Sequence, residues 1–207
     1  MTIHELRKLA ESIPSQGGKE IGLWLERYAA WVPDNSAIVE MGSWLGSGTA
    51  FLAMGAMITG APIHVFDRFN CASDEEQMKA RVQGVELVIG QDTLPLVRAK
   101  LGKFPVQIHW HQITFRPGKA GIAWNDKVGL YVDDLTKTDE NWEAAMKIFM
   151  PYFIHGETVL ILMDYYFYEV AGWAYEAQRR WMKKHKDEFE QIGDRWAWQS
   201  VAAFRYL

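Results

Sequence analysis

Cysteine is almost absent from this chain. The single one, Cys71, has no partner for an internal disulfide, so nothing marks a secreted, disulfide-stapled scaffold. Positive charge is not in excess either. Twenty-two lysines and arginines against 26 aspartates and glutamates leave a formal charge of -4 and a pI near 5.9. That balance offers no electrostatic footprint for nucleic acid, and a small or neutral ligand is the better expectation. The N-terminus, Met-Thr-Ile-His-Glu-Leu-Arg-Lys, is charged from its start and lacks the apolar centre of a signal peptide, which makes a cytoplasmic location the expectation. An unbroken membrane-length run is missing too. Met41 to Ile63 carries no formal charge, but five glycines and Pro62 interrupt it, and a strand, a turn and a buried helix explain it without a membrane. No repeat, low-complexity segment or linker divides the 207 residues.

What the chain does have is a regular alternation of short apolar strands and amphipathic helices. Thr2-Ile3-His4-Glu5 has the form of a capping box opening a helix to about Ile13, before Pro14. A second helix from about Lys19 to Trp31 places Ile21, Trp24, Leu25 and Tyr28 on one face; the pair covers the sheet or forms a lid over a site. Ile38-Val39-Glu40 then reads as a buried strand ending in an acid, followed by a turn with Gly42, Gly46 and Gly48 and an apolar helix, Ala50 to Ile58, that Ser47 or Thr49 is placed to cap. Ile63 to Asp67 is a second strand ending in an acid, and two such strands joined by one helix imply a right-handed parallel unit.

Further helices are expected from Ser73 through Val82 and from Asp92 to Leu101, and strands over Val106–Thr114, Val128–Val132 and Thr158–Met163. Between the last two, Thr138 caps a helix to Met150 with Trp142, Ala145, Met146 and Phe149 on its inner stripe. Arg116-Pro117-Gly118 is a turn, a long helix runs from about Gly172 to Lys186, and strands near Glu188–Ile192 and Gln199–Tyr206 form a hairpin about Gly193-Asp194. The expected architecture is one α/β domain over 1–207, with an N-terminal helical cap over 1–34 and a mostly parallel α/β core over 35–207.

Four strands end in acids: Glu40, Asp67, Asp133 with Asp134, and Asp164. In an open parallel sheet those ends share one edge, where ligands bind, and the helix N-terminus after Gly48 adds free N–H groups and a positive dipole end. Any one acid there is as readily a helix cap or a solvated turn. Other candidates carry blander readings. Cys71 is expected to be structural, and His109 and His111, facing one side of a strand, to be a half-exposed pair rather than metal ligands. The run Arg179, Arg180, Lys183, Lys184 and Lys186 reads as a solvated face, and Tyr165 to Tyr168 as core with some lining of a ligand pocket.

Glu40-Met41-Gly42-Ser43-Trp44-Leu45-Gly46-Ser47-Gly48-Thr49 resembles the first motif of class I S-adenosylmethionine-dependent methyltransferases, and Asp67 matches the ribose-binding acid of that family. The order of elements from Ile38 to the C-terminus is similar as well. Leu130–Asp134 and Leu160–Tyr165 look most like the small-molecule O-methyltransferases that modify sugars on macrolide-type products. The resemblance implies a Rossmann-like sandwich with a C-terminal antiparallel hairpin, S-adenosylmethionine as cofactor and a small hydroxylated acceptor. It implies Glu40, Gly42, Ser43, Gly46, Ser47, Thr49 and Asp67 along the methionine and ribose, and Gln112 and Thr114 near the adenine, where this chain lacks the acid many relatives carry.

Asp133, Asp134, Asp164 and His111 are the catalytic candidates, to remove or steer the acceptor's proton. Asp133 and Asp164 are the candidate ligands of a divalent ion such as Mg2+, although Asp133-Asp134-Leu135-Thr136 departs from the Asp-Gly-Asp of many relatives. Two other readings stay open: an inactive cofactor-binding module of the same fold, and a nicotinamide-dependent oxidoreductase. The spacing G-x-x-x-G-x-G differs from the dinucleotide fingerprint G-x-G-x-x-G. Apolar N-terminal helices make a homodimer a further expectation.

Overall fold

The computed structural model describes residues 1–116, 121–167, 169, 176–193 and 200–207. The capping box forms as expected: Thr2 accepts from the Glu5 amide and donates its own N–H to the Glu5 carboxylate, opening α1 (Ile3–Ser12). Then follow α2 (Gly18–Ala29), β1 (Ala37–Met41), α3 (Ser47–Thr59), β2 (Ile63–Asp67), α4 (Asp74–Arg81), α5 (Leu94–Leu101) and β3 (Ile108–Gln112). The second half holds β4 (Val128–Asp133), α6 (Asp139–Phe149) with a closing 3-10 turn, β5 (Val159–Leu162), α7 (Ala177–Lys184), β6 (Phe189–Gln191) and β7 (Ala202–Tyr206). The turns expected at Arg116-Pro117-Gly118 and Gly193-Asp194, the start of the helix placed from Gly172, and Tyr168 fall wholly or partly outside the described residues.

The described residues build a seven-stranded sheet in the order β3-β2-β1-β4-β5-β7-β6. β1 to β5 are parallel, and β7 lies antiparallel between β5 and β6, the hairpin partners read from the sequence. β1 is central and buried at every position. Strand alternation sorts its side chains: Ile38 packs with Val65, Leu130 and α1, α2 and α3, whereas Val39 and Met41 pack with Phe66, Tyr131 and α6 on the opposite face. Trp142, Ala145, Met146 and Phe149 are all buried, as the periodicity of α6 predicts.

α2 lies tightly on α3. A Cβ on Gly22 would meet the Phe51 ring at 2.3 Å, and one on Gly55 would meet the Glu26 carbonyl oxygen at 2.2 Å. The N-terminal helices therefore cover the sheet through α3, and the loop between them reaches the strand ends. One expectation fails: no side chain caps α3. Its N-cap is Gly46 at φ +88°, and the Thr49 hydroxyl is turned inward to Glu40 instead. Among the described residues no helix is long and apolar enough to cross a membrane.

Candidate active site

β1 ends between β2 and β4 and is tied to both across the sheet edge: the Gly42 N–H donates to the Phe66 carbonyl of β2 at 2.9 Å, and the Asp134 N–H, just past β4, to the Met41 carbonyl at 2.8 Å. Gly42, at φ +91°, lets the loops approach; a Cβ there would stand 3.2 Å from the Asp134 carbonyl carbon. Asp67, 8% exposed at the end of β2, organises the turn that follows. Its Oδ2 accepts from the Ser43 and Trp44 amides at 2.7 and 3.0 Å, and its Oδ1 from the Phe69 amide at 2.6 Å. Trp44 and Phe69 both sit in the left-handed region, at φ +49° and +48°. Such bulky residues are held there at a cost of about 1–3 kcal/mol each, and Asp67 is what both amides turn toward.

Glu40 points to the α3 face of the sheet and is 2% exposed. Burial drives its carboxyl pKa up to about 8; the hydroxyl of Thr49, donating to Oε2, opposes the rise, and the Asp67 and Asp134 carboxylates add to it. Ser43 Oγ lies 2.8 Å from the Thr49 hydroxyl and completes the chain behind Glu40. A Cβ on Gly48 would lie 2.6 Å from Glu40 Oε1, so glycine at that helical position is what leaves this oxygen room.

Glu40 floors a cleft at the strand ends. Gly42, Ser43, Trp44, Ser47 and Gly48 form one wall, Val132, Asp134 and Met163 another, and Gln16, Gly17, Ile21 and Leu25 arch over from the N-terminal helices. The arching loop is pinned, with the Ser15 N–H donating to Gln83 at 2.8 Å and the Gly18 N–H to the Ser15 hydroxyl at 3.0 Å. Its glycines and glutamine were not singled out from the sequence, where only the two helices flanking them read as a cover for the sheet or a lid over a site.

Of the residues predicted for the site, Glu40, Gly42, Ser43, Ser47 and Asp134 line this cleft together. Thr49 is fully buried beneath, holding Glu40. Gly46 faces away, packed where a Cβ would lie 2.8 Å from Leu101 of α5. Gln112 is exposed at the end of β3, its amide donating to the Arg68 carbonyl and to Asp92 Oδ1 at 3.3 and 3.2 Å, and Thr114 is exposed beyond the strand. Asp92 was not foreseen. It starts the turn into α5, accepting from the Leu94 amide, and brings an exposed carboxylate beside Gln112.

Two candidates are displaced from the cleft. Asp133 is the last residue of β4, in phase with Tyr131, so it turns to the face covered by α6 and α7. There it is fully buried, and it accepts from the Tyr131 and Thr136 hydroxyls, the Leu135 and Thr136 amides and the Gln178 amide, at 2.7–3.2 Å. Burial still raises its pKa, against those donors and Lys137. His111 also faces away from the cleft. It stacks on Phe66, with ring centres 4.2 Å apart, and its Nε2 lies 3.1 Å from His64 Nδ1.

Asp164 is paired instead with a residue the sequence reading passed over. Lys137 Nζ lies 2.6 Å from Asp164 Oδ2 and 3.1 Å from Asp134 Oδ1. Burial pulls its pKa down, but Asp134 and Asp164, with Asp133 behind them, outweigh that and hold it above the ordinary lysine range. Among the described residues no three His, Cys, Asp or Glu side chains converge as a metal site.

Solved structures share this architecture over nearly the whole chain. The O-methyltransferase NovP superposes with a TM-score of 0.64 at 15% identity, over 93% of this chain and 82% of its own. The fold is that of class I S-adenosylmethionine-dependent methyltransferases. The methyltransferase PaMTH1 of Podospora anserina, solved with S-adenosylhomocysteine, matches with a TM-score of 0.62 at 10% identity, over 99% of this chain and 87% of its own. The O-methyltransferase TomG of Streptomyces achromogenes, involved in tomaymycin synthesis and solved with S-adenosylmethionine, matches at 0.55 and 13%, over 97% and 88% of the two chains. No protein-family model matches the sequence, and no curated protein matches it either. The methyltransferase fold thus places the cleft at the strand ends where β1 meets β4.

Proposed function

We propose that this chain transfers a methyl group from S-adenosylmethionine to the hydroxyl of a small acceptor. The observation that carries the reading is Glu40, a carboxylate buried on the cleft floor with its pKa up to about 8, two residues before the first glycine of a loop and one strand from a second acid, Asp67. A buried carboxylate so destabilised favours a cationic group, and the amino group of the cofactor's methionine part is one. Asp67 serves the ribose hydroxyls: its Oδ2 is taken by the Ser43 and Trp44 amides, while Oδ1, which accepts only from the Phe69 amide, retains acceptor capacity. Asp92, beside Gln112, supplies the acid for the adenine amino group that the third strand lacks. The first-turn N–H groups of α3, at Ser47 and Gly48, face the same cleft and suit the methionine carboxylate.

Bound there, S-adenosylmethionine supplies a methyl group on a positive sulfonium, whose sulfur leaves as a neutral thioether when an acceptor oxygen takes the carbon. Asp134 is the group at hand for the hydroxyl proton; its side chain is 47% exposed and lines the cleft. Lys137, itself paired with Asp164, holds Asp134 in place, and the arch at Gln16 and Gly17 covers the cleft from the side of the N-terminal helices.

The donor set does not fit the divalent ion expected at Asp133 and Asp164. Asp133 faces the other side of the sheet with both oxygens engaged, and Asp164 holds an ammonium. Calorimetry with S-adenosylhomocysteine, NAD and ATP tests the function. We expect S-adenosylhomocysteine alone to bind, at micromolar Kd; binding of NAD alone sinks the reading. A chain that binds the thioether product but methylates none of a panel of phenols, catechols and sugar hydroxyls is a binding module instead.

A further inference from the structure

We infer that Lys137 is the resident cation of this site, standing between Asp134 and Asp164 in the place of a divalent ion, so that methyl transfer here is independent of metal. The inference rests on the methyltransferase reading for its consequence but on the ion pairs alone for its geometry. A hard divalent ion shared by these two carboxylates requires oxygens at about 2.0–2.6 Å on either side of it. The volume in question is filled by Nζ, 2.6 Å from one carboxylate and 3.1 Å from the other.

The charges agree with the geometry. Two carboxylates and one ammonium leave a single negative charge; a divalent ion entering beside Lys137 would reverse its sign at close quarters to another cation. Among the described residues no third His, Cys, Asp or Glu side chain converges with these two. Asp133 is turned to the opposite face, and the residue after Asp164 is Tyr165, its ring packed edge-on to Phe204 at 5.1 Å and to Tyr166 at 5.0 Å. Mg2+ demands near-octahedral oxygen coordination, and two carboxylates already bridged by an ammonium are a poor start. In the reaction Lys137 then does electrostatic work that a metal does elsewhere: it favours the ionised form of Asp134, against the burial and the Asp164 charge that raise its pKa, orients it to take the acceptor's proton, and places a positive charge beside the oxygen as that proton leaves.

Titration of the full chain with Mn2+, read by the spin-resonance signal of the free ion, tests this together with S-adenosylhomocysteine calorimetry with and without EDTA. The wild-type chain is expected to leave Mn2+ free up to about millimolar and to bind S-adenosylhomocysteine with the same Kd, within twofold, in Mg2+ and in EDTA. Lys137→Met, which bares two carboxylates, is expected to bind Mn2+ at least tenfold more tightly than wild type, and Lys137→Arg is expected to behave as wild type. One Mn2+ bound at micromolar Kd by the wild-type chain and lost in Asp164→Asn overturns the inference, as does a folded Lys137→Met that gains no Mn2+ affinity. If Lys137→Met does not fold, the wild-type and Asp164→Asn titrations still decide. Failure to bind S-adenosylhomocysteine in every condition counts against the methyltransferase reading and leaves the cation assignment to the Mn2+ data.

Discussion

Glu40 is the cleft residue whose carboxyl burial pushes well above the ordinary range, and its protonation is a handle on the cofactor. In the free chain its pKa near 8 leaves it mostly protonated at pH 7. Pairing with a ligand ammonium favours the charged form and drives the proton off. Binding of S-adenosylhomocysteine at pH 7, measured by calorimetry in two buffers of different ionisation enthalpy, should therefore release close to one proton, and affinity should rise from pH 6 to 8. Glu40→Gln should abolish the release and weaken binding roughly 10- to 100-fold, as loss of a charge-assisted hydrogen bond of about 1.5–3 kcal/mol requires. An unchanged proton count in the variant would remove Glu40 from the ammonium site. Glu40 was legible from the sequence because an acid two residues before the first glycine of a turn has few other reasons to stand near the end of a buried strand. Lys137 was not, because its meaning arises only where the loops after β4 and β5 meet.

At the scale of elements, the contact of α2 with α3 ties the N-terminal cap to the glycine loop that precedes α3. Gly55→Ala would gain about 1 kcal/mol of helix propensity in isolation. Against this, the new Cβ would fall 2.2 Å from the Glu26 carbonyl oxygen and 2.7 Å from the Ala29 Cβ, and the two backbones must separate. Overpacking of this kind costs about 1–3 kcal/mol, so a net lowering of Tm by several degrees is expected in thermal melts. Because the same helix carries the arch at Gln16 and Gly17, affinity for S-adenosylhomocysteine should fall with it. A variant as stable and as tight-binding as wild type would show that the cap is not coupled to the site. The capping box of α1 and the inner stripe of α6 were readable from local spacing. The inward turn of Thr49 was not, since a hydroxyl in a first turn serves as a cap unless a buried acid such as Glu40 competes for it.

Across the whole molecule, the sheet edge away from the cleft governs acid stability. His64 stacks on His109 with ring centres 4.4 Å apart and meets His111, and Asp126 stands 3.9 Å from its other nitrogen. Burial, with His109 and His111 adding to it, lowers the His64 pKa to about 4, against the weaker pull of Asp126. Below the ordinary value of 6.5 the unfolded chain takes up a proton that the folded chain refuses, so stability falls as pH drops from about 6.5 to 4 and the loss is complete below that. Glu40 acts in the opposite sense, since its raised pKa makes the folded chain the better proton acceptor between about 8 and its ordinary value of 4.5. The His64 contribution is therefore read against a His64→Gln variant. Wild type should lose about 1–2 kcal/mol relative to the variant over this range after screening of a half-buried ring, or about 2–8 °C in Tm. Parallel acid limbs in the two proteins would dismiss the histidine stack as the cause.

Local chain chemistry set the strands, their closing acids and the glycine turn, because period-two apolarity, β-branching and glycine's freedom act within a few residues. From these follow the parallel sheet and the edge at which a ligand binds. Which acids share that edge was a tertiary matter. One step of strand phase turns Asp133 to the α6 and α7 face and leaves Asp134 in the cleft, and pairing of β3 with β2 sends His111 to the far side with Phe66. Neighbouring residues in one chain differ in this way because a strand has two faces, and only the layers packed against it decide which face holds the site.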